Sequence, residues 1–479
     1  MNGKVHNNVN AVAKILNRDA MPTWKEQITA VMTLAWPAII EQVMITMVQY
    51  VDTAMVGGLG QNATASIGIT STTIWLFNGF LAAAGMGFSV QVAQYVGAKR
   101  ENEAKDIVRQ AVLFNLFFGL FAGIAAVALS FWLPGLLGAE AAIIPDASRY
   151  FRIIGYSMPF LLVSTLISSI IRCSGDMKTP MLLNVLINVF NIILNFLFIY
   201  PSRTVELGTM RFQFWGAGLG VTGAAIGSAV SAFIVSVLLF LVLYRKKSPV
   251  QIHFGEKYRL TKECVGTAVR LGIPVALERA TLNIAQIVMT LTVSGLGTAA
   301  IAANHIATTA EALSYLPAFG ISAAATTLVG QAIGAKQTQL AVRFSRISTY
   351  LGVALMTFTG VLLYLFAPQL ISLFTQVPEV KELGAQVLRI EAFAEPLFAA
   401  SIVVSGALRG AGDSRYPFLL SLISMWGVRV PLAIALAPRI GLSGVWIAMC
   451  LELCVRGVIF LIRLYSNKWL QVQAVIQDT

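Results

Sequence analysis

Twelve times along its 479 residues the chain runs on with hardly a charge, at about 31–56, 63–92, 110–133, 150–171, 181–200, 217–244, 268–292, 299–329, 347–367, 387–407, 417–437 and 441–465. Runs of about 20 apolar residues match the ~30 Å of hydrocarbon that a helix crosses at 1.5 Å per residue. In hydrocarbon every backbone N–H and C=O needs a partner within its own helix or in a closed barrel. The runs are continuously apolar rather than alternating, so twelve helices are predicted and not barrel strands. Composition agrees. Charged residues make up 12% and mean hydropathy is +0.75, against about 25% charged in a soluble domain. A chain so poor in charge cannot cover a water-facing surface. That excludes a disordered segment, a coiled coil and most soluble enzymes.

The basic residues give the orientation. With the N-terminus placed in the cytoplasm, 24 of the 34 Lys and Arg fall on cytoplasmic segments, seven fall opposite, and Arg279, Arg429 and Arg456 lie within spans. The cytoplasmic set includes Lys4, Lys14 and Arg18 near the N-terminus, Lys99 and Arg100, and Arg245 to Lys247 with Lys257 in the middle. This bias predicts an even number of spans and both termini in the cytoplasm. It also makes the net charge of +12 a set of membrane anchors and not a nucleic-acid surface. The N-terminal segment carries no apolar stretch ahead of a cleavage site, so the first span is expected to direct insertion into the cell's inner membrane. Cys173, Cys264, Cys450 and Cys454 form no C-x-x-C pair, and no disulfide, metal site or cofactor is expected.

An internal repeat divides the chain. Shifted by 237 residues the sequence meets itself: Pro37 falls on Pro274, Glu41 on Glu278, Gly97-Ala98-Lys99 on Gly334-Ala335-Lys336, and Pro159 on Pro396. Arg172, Gly175, Asp176 and Pro180 fall on Arg409, Gly412, Asp413 and Pro417. The last span matches at a shift of 221, leaving a longer outer loop around Pro201 to Trp215 in the first half. Six spans per half is even, so both halves enter the membrane from the same side and are related by an axis along the membrane normal. The expected architecture is all-α: a cytoplasmic segment 1–30, an N-lobe 31–244, a linker 245–267, a C-lobe 268–465 and a cytoplasmic tail 466–479.

The paired motifs resemble the multidrug and toxic compound extrusion (MATE) family. The resemblance covers about residues 30–465 and is carried by Val51-Asp52-Thr53 with Val56-Gly57, both Gly-Ala-Lys turns, Arg172-x-x-Gly175-Asp176-x-x-x-Pro180, Asn191-Ile-Ile-Leu-Asn195, Gly406-Ala-Leu-Arg409-Gly410-x-Gly412-Asp413 and Trp426-x-x-Arg429-x-Pro431. It implies a secondary exporter that exchanges cationic or amphipathic small molecules for H⁺ or Na⁺ by alternating access, with no enzymatic activity. A monomer in the lipid bilayer is expected.

Ionisable residues within spans are costly and are functional candidates by default. Asp52 is the first. Its repeat mate is Met289, so symmetry does not account for the charge. The resemblance makes Asp52 the N-lobe proton or cation site, where Na⁺ binds transiently, with Asn191 and Asn195 as partners one helical turn apart. Many relatives carry Asp at the second of these positions. Glu278 and Glu395 come next, at mid-membrane depth together with Arg429. They form either a coupling site or a charge-balanced structural lock. Relatives with a C-lobe cation site carry acids about one turn away, where this chain has Leu282 and Phe398. Glu41, the mate of Glu278, points to a role shared by both halves. Glu311, Glu391 and Glu452 are weaker candidates. An ionised carboxylate is costly in a low-dielectric bundle, so it takes up H⁺ or Na⁺, and that uptake can drive helix repacking. Pro37, Pro274 and Pro396 permit kinks that serve as gates or as static bends.

Other readings are weaker. A lipid-linked precursor flippase of the same superfamily needs a strongly basic central cavity, and only three Arg lie in spans. A membrane-embedded enzyme needs a cluster such as H-E-x-x-H or G-x-S-x-G, and none is present. Gly218-x-Gly220-x-x-Gly223 precedes a membrane helix without a βαβ unit, so it is read as a close-packing stripe continued by Gly227.

Overall fold

The structure is a computed structural model. It describes Ile15, residues 21–207, 210–246, 248–253, Gly255 and residues 259–471, with the backbone alone at Gln49, Gln61, Thr72 and 203–214. Lys4, Lys14, Arg18, Lys247 and Lys257, and the greater part of segments 1–30 and 466–479, lie outside the described residues.

Long helices carry the chain. The first half holds α1 Trp24–Gly57, α2 Gln61–Gly97, α3 Glu101–Leu129, α4 Ile144–Cys173, α5 Lys178–Ile199 and α6 Gly220–Arg245. The second holds α7 Lys262–Ser294, α8 Thr298–Gly334, α9 Thr338–Ser372, α10 Pro378–Glu391, α11 Glu395–Gly410, α12 Arg415–Ser424 and α13 Val430–Tyr465. Among the described residues, nine stretches are long and apolar enough to cross a membrane. One of these, Arg415–Tyr465, spans 51 residues and is two legs. Its backbone leaves helical values at Ile440 and Gly441, the latter at φ 61°, where glycine is favoured. The chain then doubles back, so that Ser424 meets Glu452 at 2.7 Å and Arg429 meets Met449 at 2.6 Å. α7 adds a further leg of 33 residues, and α10 with α11 forms one leg broken at 392–394. The described chain therefore has twelve helical legs in two lobes.

The legs run longer than the apolar runs suggest. At 37 residues, α2 is about 55 Å long, well beyond the ~30 Å of hydrocarbon, because its polar end turns continue the helix past the apolar stretch. The ends recur at the 237-residue offset: α2 and α8 start and stop at matching positions, and α4 and α11 end at matching positions.

The repeated motifs are helix stops. After α2, the N–H groups of Lys99 and Arg100 donate to Val96 and Tyr95; after α8, those of Lys336 and Gln337 donate to Ile333 and Ala332. This is the Schellman pattern, with a left-handed residue after the cap. Lys99 and Lys336 hold that place at φ 60° and 58°. Arg172-x-x-Gly175-Asp176 and Arg409-x-x-Gly412-Asp413 stop α4 and α11 in the same way, with Gly175 and Gly412 left-handed. Each Asp then accepts from a backbone N–H of the next helix, Thr179 at 3.2 Å and Tyr416 at 3.3 Å. The ends at Lys99, Lys178, Lys336 and Arg415 share one side of the bundle, called the basic face below. On the opposite face, the extra length predicted as a loop is an antiparallel hairpin of β1 Pro201–Leu207 and β2 Met210–Ala217, with Arg203 facing Phe214.

The lobes meet through glycines near the basic face. α1 packs on α8 and, by the pseudo-two-fold, α7 packs on α2. At Gly320, Gly87 and Gly272 a Cβ would strike the backbone of Ile39, Ala268 and Ala83. α2 and α8 cross with Gly97 against the Gln331 backbone and Gly334 against the Gln94 backbone. Two symmetric hydrogen bonds close this crossing: Gln94 Nε2 donates to Gly410 O at 3.1 Å, and Gln331 Nε2 to Cys173 O at 2.8 Å. Both glutamines are buried.

Candidate functional site

α5 presents Asn184, Asn188, Asn191 and Asn195 at spacings of four, three and four, which puts them on one face of a helix. A buried amide needs partners, and α1 supplies most of them. Asn184 Nδ2 donates to Glu41 at 3.1 Å and Asn188 Nδ2 to the Met44 carbonyl at 3.0 Å. The last two residues of the stripe complete a ring. Asn195 Nδ2 donates to Asp52 Oδ1 at 2.5 Å and to Asn191 Oδ1 at 3.2 Å. Asn191 Nδ2 donates to Ser228 Oγ at 3.3 Å, and Ser228 Oγ donates to Asp52 Oδ2 at 3.1 Å. Val56, Ile199 and Ala224, with Tyr150 packed on them, form the apolar wall nearby. Gly227 makes the ring fit, since a Cβ there would fall on Asn195 Oδ1. That oxygen is buried and has no hydrogen-bond partner among the described residues.

The structure thus brings Asp52, Asn191 and Asn195 together. Sequence reasoning missed Ser228. The nearest signal was the Gly223-x-x-x-Gly227 stripe, which lets α6 approach α5. At the repeat offsets the four ring positions hold Met289, Val428, Leu432 and Met449. The ring belongs to the N-lobe alone.

Glu41 and Glu278 sit in matching locks. Arg172 Nη1 donates to Glu41, and Arg409 Nη2 donates to Glu278 at 2.6 Å. The mate of Asn184 is Ser421, whose hydroxyl donates to Glu278 Oε1 at 3.3 Å. Each lock ties the first helix of a lobe to its fourth and fifth legs. Glu278 and Glu395 do not form one cluster, because Arg409 reaches inwards to Glu278. Glu395 instead accepts from the Ser314 hydroxyl. Arg429 stands among Glu311, Glu391 and Glu452, at the end of a π-helical turn, Met425–Arg429. Pro37 and Pro274 lie inside α1 and α7. Pro396 lies in the first turn of α11, where its missing N–H leaves no helical bond unmade.

Comparison with known proteins identifies the fold and the family. The family model described as MatE matches residues 37–197 and again 274–435. The chain is 29% identical over 446 residues to "Probable multidrug resistance protein NorM" of Thermotoga maritima, covering 91% of this chain and 92% of that one. It is 26% identical over 443 residues to "Uncharacterized transporter YisQ" of Bacillus subtilis, covering 92% and 94%. Among solved structures, one described as the outward-facing conformation of a multidrug resistance MATE family transporter superposes with a TM-score of 0.85 at 22% identity, covering 96% of this chain and 98% of that one. A MATE crystallised in complex with MaL6 also gives 0.85 at 22% identity, covering 96% and 99%.

Proposed function

We propose, from the premise that this chain belongs to the MatE family of transporters, that it exports cationic or amphipathic small molecules in exchange for H⁺ or Na⁺ bound at the Asp52 ring. The observation that carries this reading is the ring itself. It is a carboxylate inside a membrane helix, hydrogen-bonded by two neutral side chains and ion-paired with no basic residue among the described residues, at positions where the other lobe is apolar.

The ring responds to either ion. A proton on Asp52 turns an acceptor into a donor, so the bond from Asn195 or Ser228 must reorganise. Asn195 Oδ1, unused in the ring, becomes the acceptor once the amide turns over. Na⁺ would instead draw on the oxygens of Asp52, Asn195, Asn191 and Ser228. Either event changes how α1 meets α5 and α6. The basic face is taken as cytoplasmic, in the inner membrane, and the hairpin face as outside. With the Gln94 and Gln331 bonds made, the lobes are closed towards the cytoplasm. An ion arriving from outside then competes with substrate, and its binding releases substrate outwards.

The deciding experiment is accumulation of ethidium, and of a fluoroquinolone, in cells carrying the wild type, Asp52→Asn or an empty vector. Wild-type cells are expected to accumulate less than the control, and Asp52→Asn cells as much as the control. Wild-type accumulation equal to the control across a broad panel sinks the export reading, and activity retained by Asp52→Asn sinks the coupling role. Exchanging Na⁺ for K⁺ in the medium identifies the ion.

A further inference from the structure

Arg389 lacks the partners that hold its mate in the other lobe. In the N-lobe, Arg152 Nε donates to Ser130 Oγ at 3.2 Å, and its guanidinium lies over the Phe131 ring at 4.2 Å. At the repeat offset these two places hold Ala367 and Pro368, which offer neither a hydroxyl nor a ring. Arg389 instead gives its Nε to the Tyr364 carbonyl at 3.4 Å, with its guanidinium 5.8 Å from that ring. A guanidinium carries five N–H donors in a planar fork, so most of them are still to be used. One turn and more above it on α10 stand Lys381 and Glu382, where the N-lobe has Ile144 and Pro145. Neither forms an ion pair among the described residues. The same scaffold is built without these charges in the N-lobe, so the fold does not require them.

These three charged side chains line one open cavity of about 1010 Å³ between α9, α10 and α13. α10 contributes Lys381, Glu382, Ala385, Gln386 and Arg389, which fall on a single helical face. Pro368, standing where the N-lobe has Phe131, lines the side towards α9. The cavity continues past Arg389 to Ile390 and Phe393, and along α13 at Ile447, Cys450 and Leu451. Lys381 and Ile390 are about 14 Å apart at 1.5 Å per residue. The groove is thus charged at its hairpin-face end and apolar towards the middle of the bundle.

Depth and charge together select an occupant. The apolar run of this leg begins at about 387, so Lys381 and Glu382 stand at headgroup level. Arg389 lies just inside, and its long side chain can return to that level. Phe393, Leu451 and Tyr364 are exposed on the rim, where a surface at this depth meets lipid rather than water. Two cations against one acid leave a net charge of +1, which repels an organic cation and suits a phosphodiester with one negative charge. Arg and Lys are the usual ligands of phosphate, Arg through paired N–H groups. A soluble anion would make no use of the apolar half, whereas an acyl chain would fill it.

We propose that this groove binds an anionic diacyl phospholipid of the hairpin-face leaflet, such as phosphatidylglycerol. Its phosphate lies between Lys381 and Arg389, Glu382 accepts from the headgroup hydroxyls, and one acyl chain runs along Phe393, Ile447 and Leu451. The site is separate from the Asp52 ring and does not depend on the export reading. Cys450, on the groove wall, reports occupancy. The full-length protein in phosphatidylethanolamine vesicles, with and without phosphatidylglycerol, is treated with a membrane-permeant maleimide, and the rate at Cys450 is read from peptide fragment spectra. Phosphatidylglycerol is expected to slow the reaction several-fold. Equal rates in the two kinds of vesicle overturn the proposal on the wild type alone, whatever the variants do. Soluble glycerol phosphate added to phosphatidylethanolamine vesicles should leave the rate unchanged, and protection by it would show a site for free anions instead. Lys381→Ala with Arg389→Ala should abolish the protection, and Lys381→Arg, which keeps the charge, should retain it. Pro368→Phe restores the ring that the N-lobe has at this place and leaves both cations. It should lower the retention of phosphatidylglycerol in native mass spectrometry several-fold, and retention equal to the wild type would refute the groove as the seat of the lipid.

Discussion

Asn195 uses its amide nitrogen twice within one ring, towards Asp52 and Asn191, and this leaves the ring no slack. Gly227→Ala would place a methyl group on Asn195 Oδ1. The expected outcome is loss of ethidium export comparable to Asp52→Asn with cooperative thermal unfolding preserved, measured on the same purified sample. The locks behave differently. Glu41→Gln and Glu278→Gln each leave a partly buried guanidinium without its carboxylate, a type of change that costs about 3–5 kcal/mol in soluble proteins. Both variants should unfold at lower temperature, and by similar amounts, since each lock is built on the same Glu–Arg pair. A drop for one and none for the other would refute a shared structural role. At this scale the sequence disclosed what is local. Asn191 and Asn195 lie four residues apart, and Asp52 is charged inside an apolar run. It did not disclose Ser228, 176 residues from Asp52, because a serine in an apolar helix ordinarily bonds its own backbone and carries no sign of a distant partner. Arg409 was hidden for another reason. Its position next to a Gly-Asp stop reads as a loop, while its long side chain reaches back into the bundle.

Between elements, the basic-face crossing of α2 and α8 holds the lobes by backbone contact and two buried amide bonds. Cys173, whose carbonyl accepts one of them, is 4% exposed. Gln331→Ala should loosen the crossing and speed alkylation of Cys173 by a membrane-permeant maleimide several-fold, read by mass spectrometry of the peptide. An unchanged rate would show that the crossing is held by packing alone. Helix identity was legible from hydropathy, but the ends were not, since helices continue through polar turns once the Schellman stops are far enough along. The hairpin of β1 and β2 was legible only as extra length. The break between α10 and α11 does have a local signal, since Pro396 cannot donate to the carbonyl of Ala392 and its ring crowds that turn; the π turn has none.

For the molecule as a whole, the repeat was the most legible property, and it survives as matching helix ends and mirrored contacts. What symmetry cannot give is orientation. Fluorescent-protein and alkaline-phosphatase fusions at residue 479 should report fluorescence and no phosphatase activity, and a phosphatase inserted between β1 and β2 should be active. The reverse result would invert the basic face. The α2–α8 crossing also carries a mechanical consequence. From Gln94 back to Gln61 the helix extends about 50 Å at 1.5 Å per residue, against roughly 5 Å from Gln94 to the Gly97 end. The crossing is therefore a fulcrum with very unequal arms. A tilt of about 10° would carry the long arm's tip some 9 Å, by the same helix rise, and the short arm's tip less than 1 Å. Leverage alone can widen the hairpin face, but the basic face can part only by pulling the pivot itself apart.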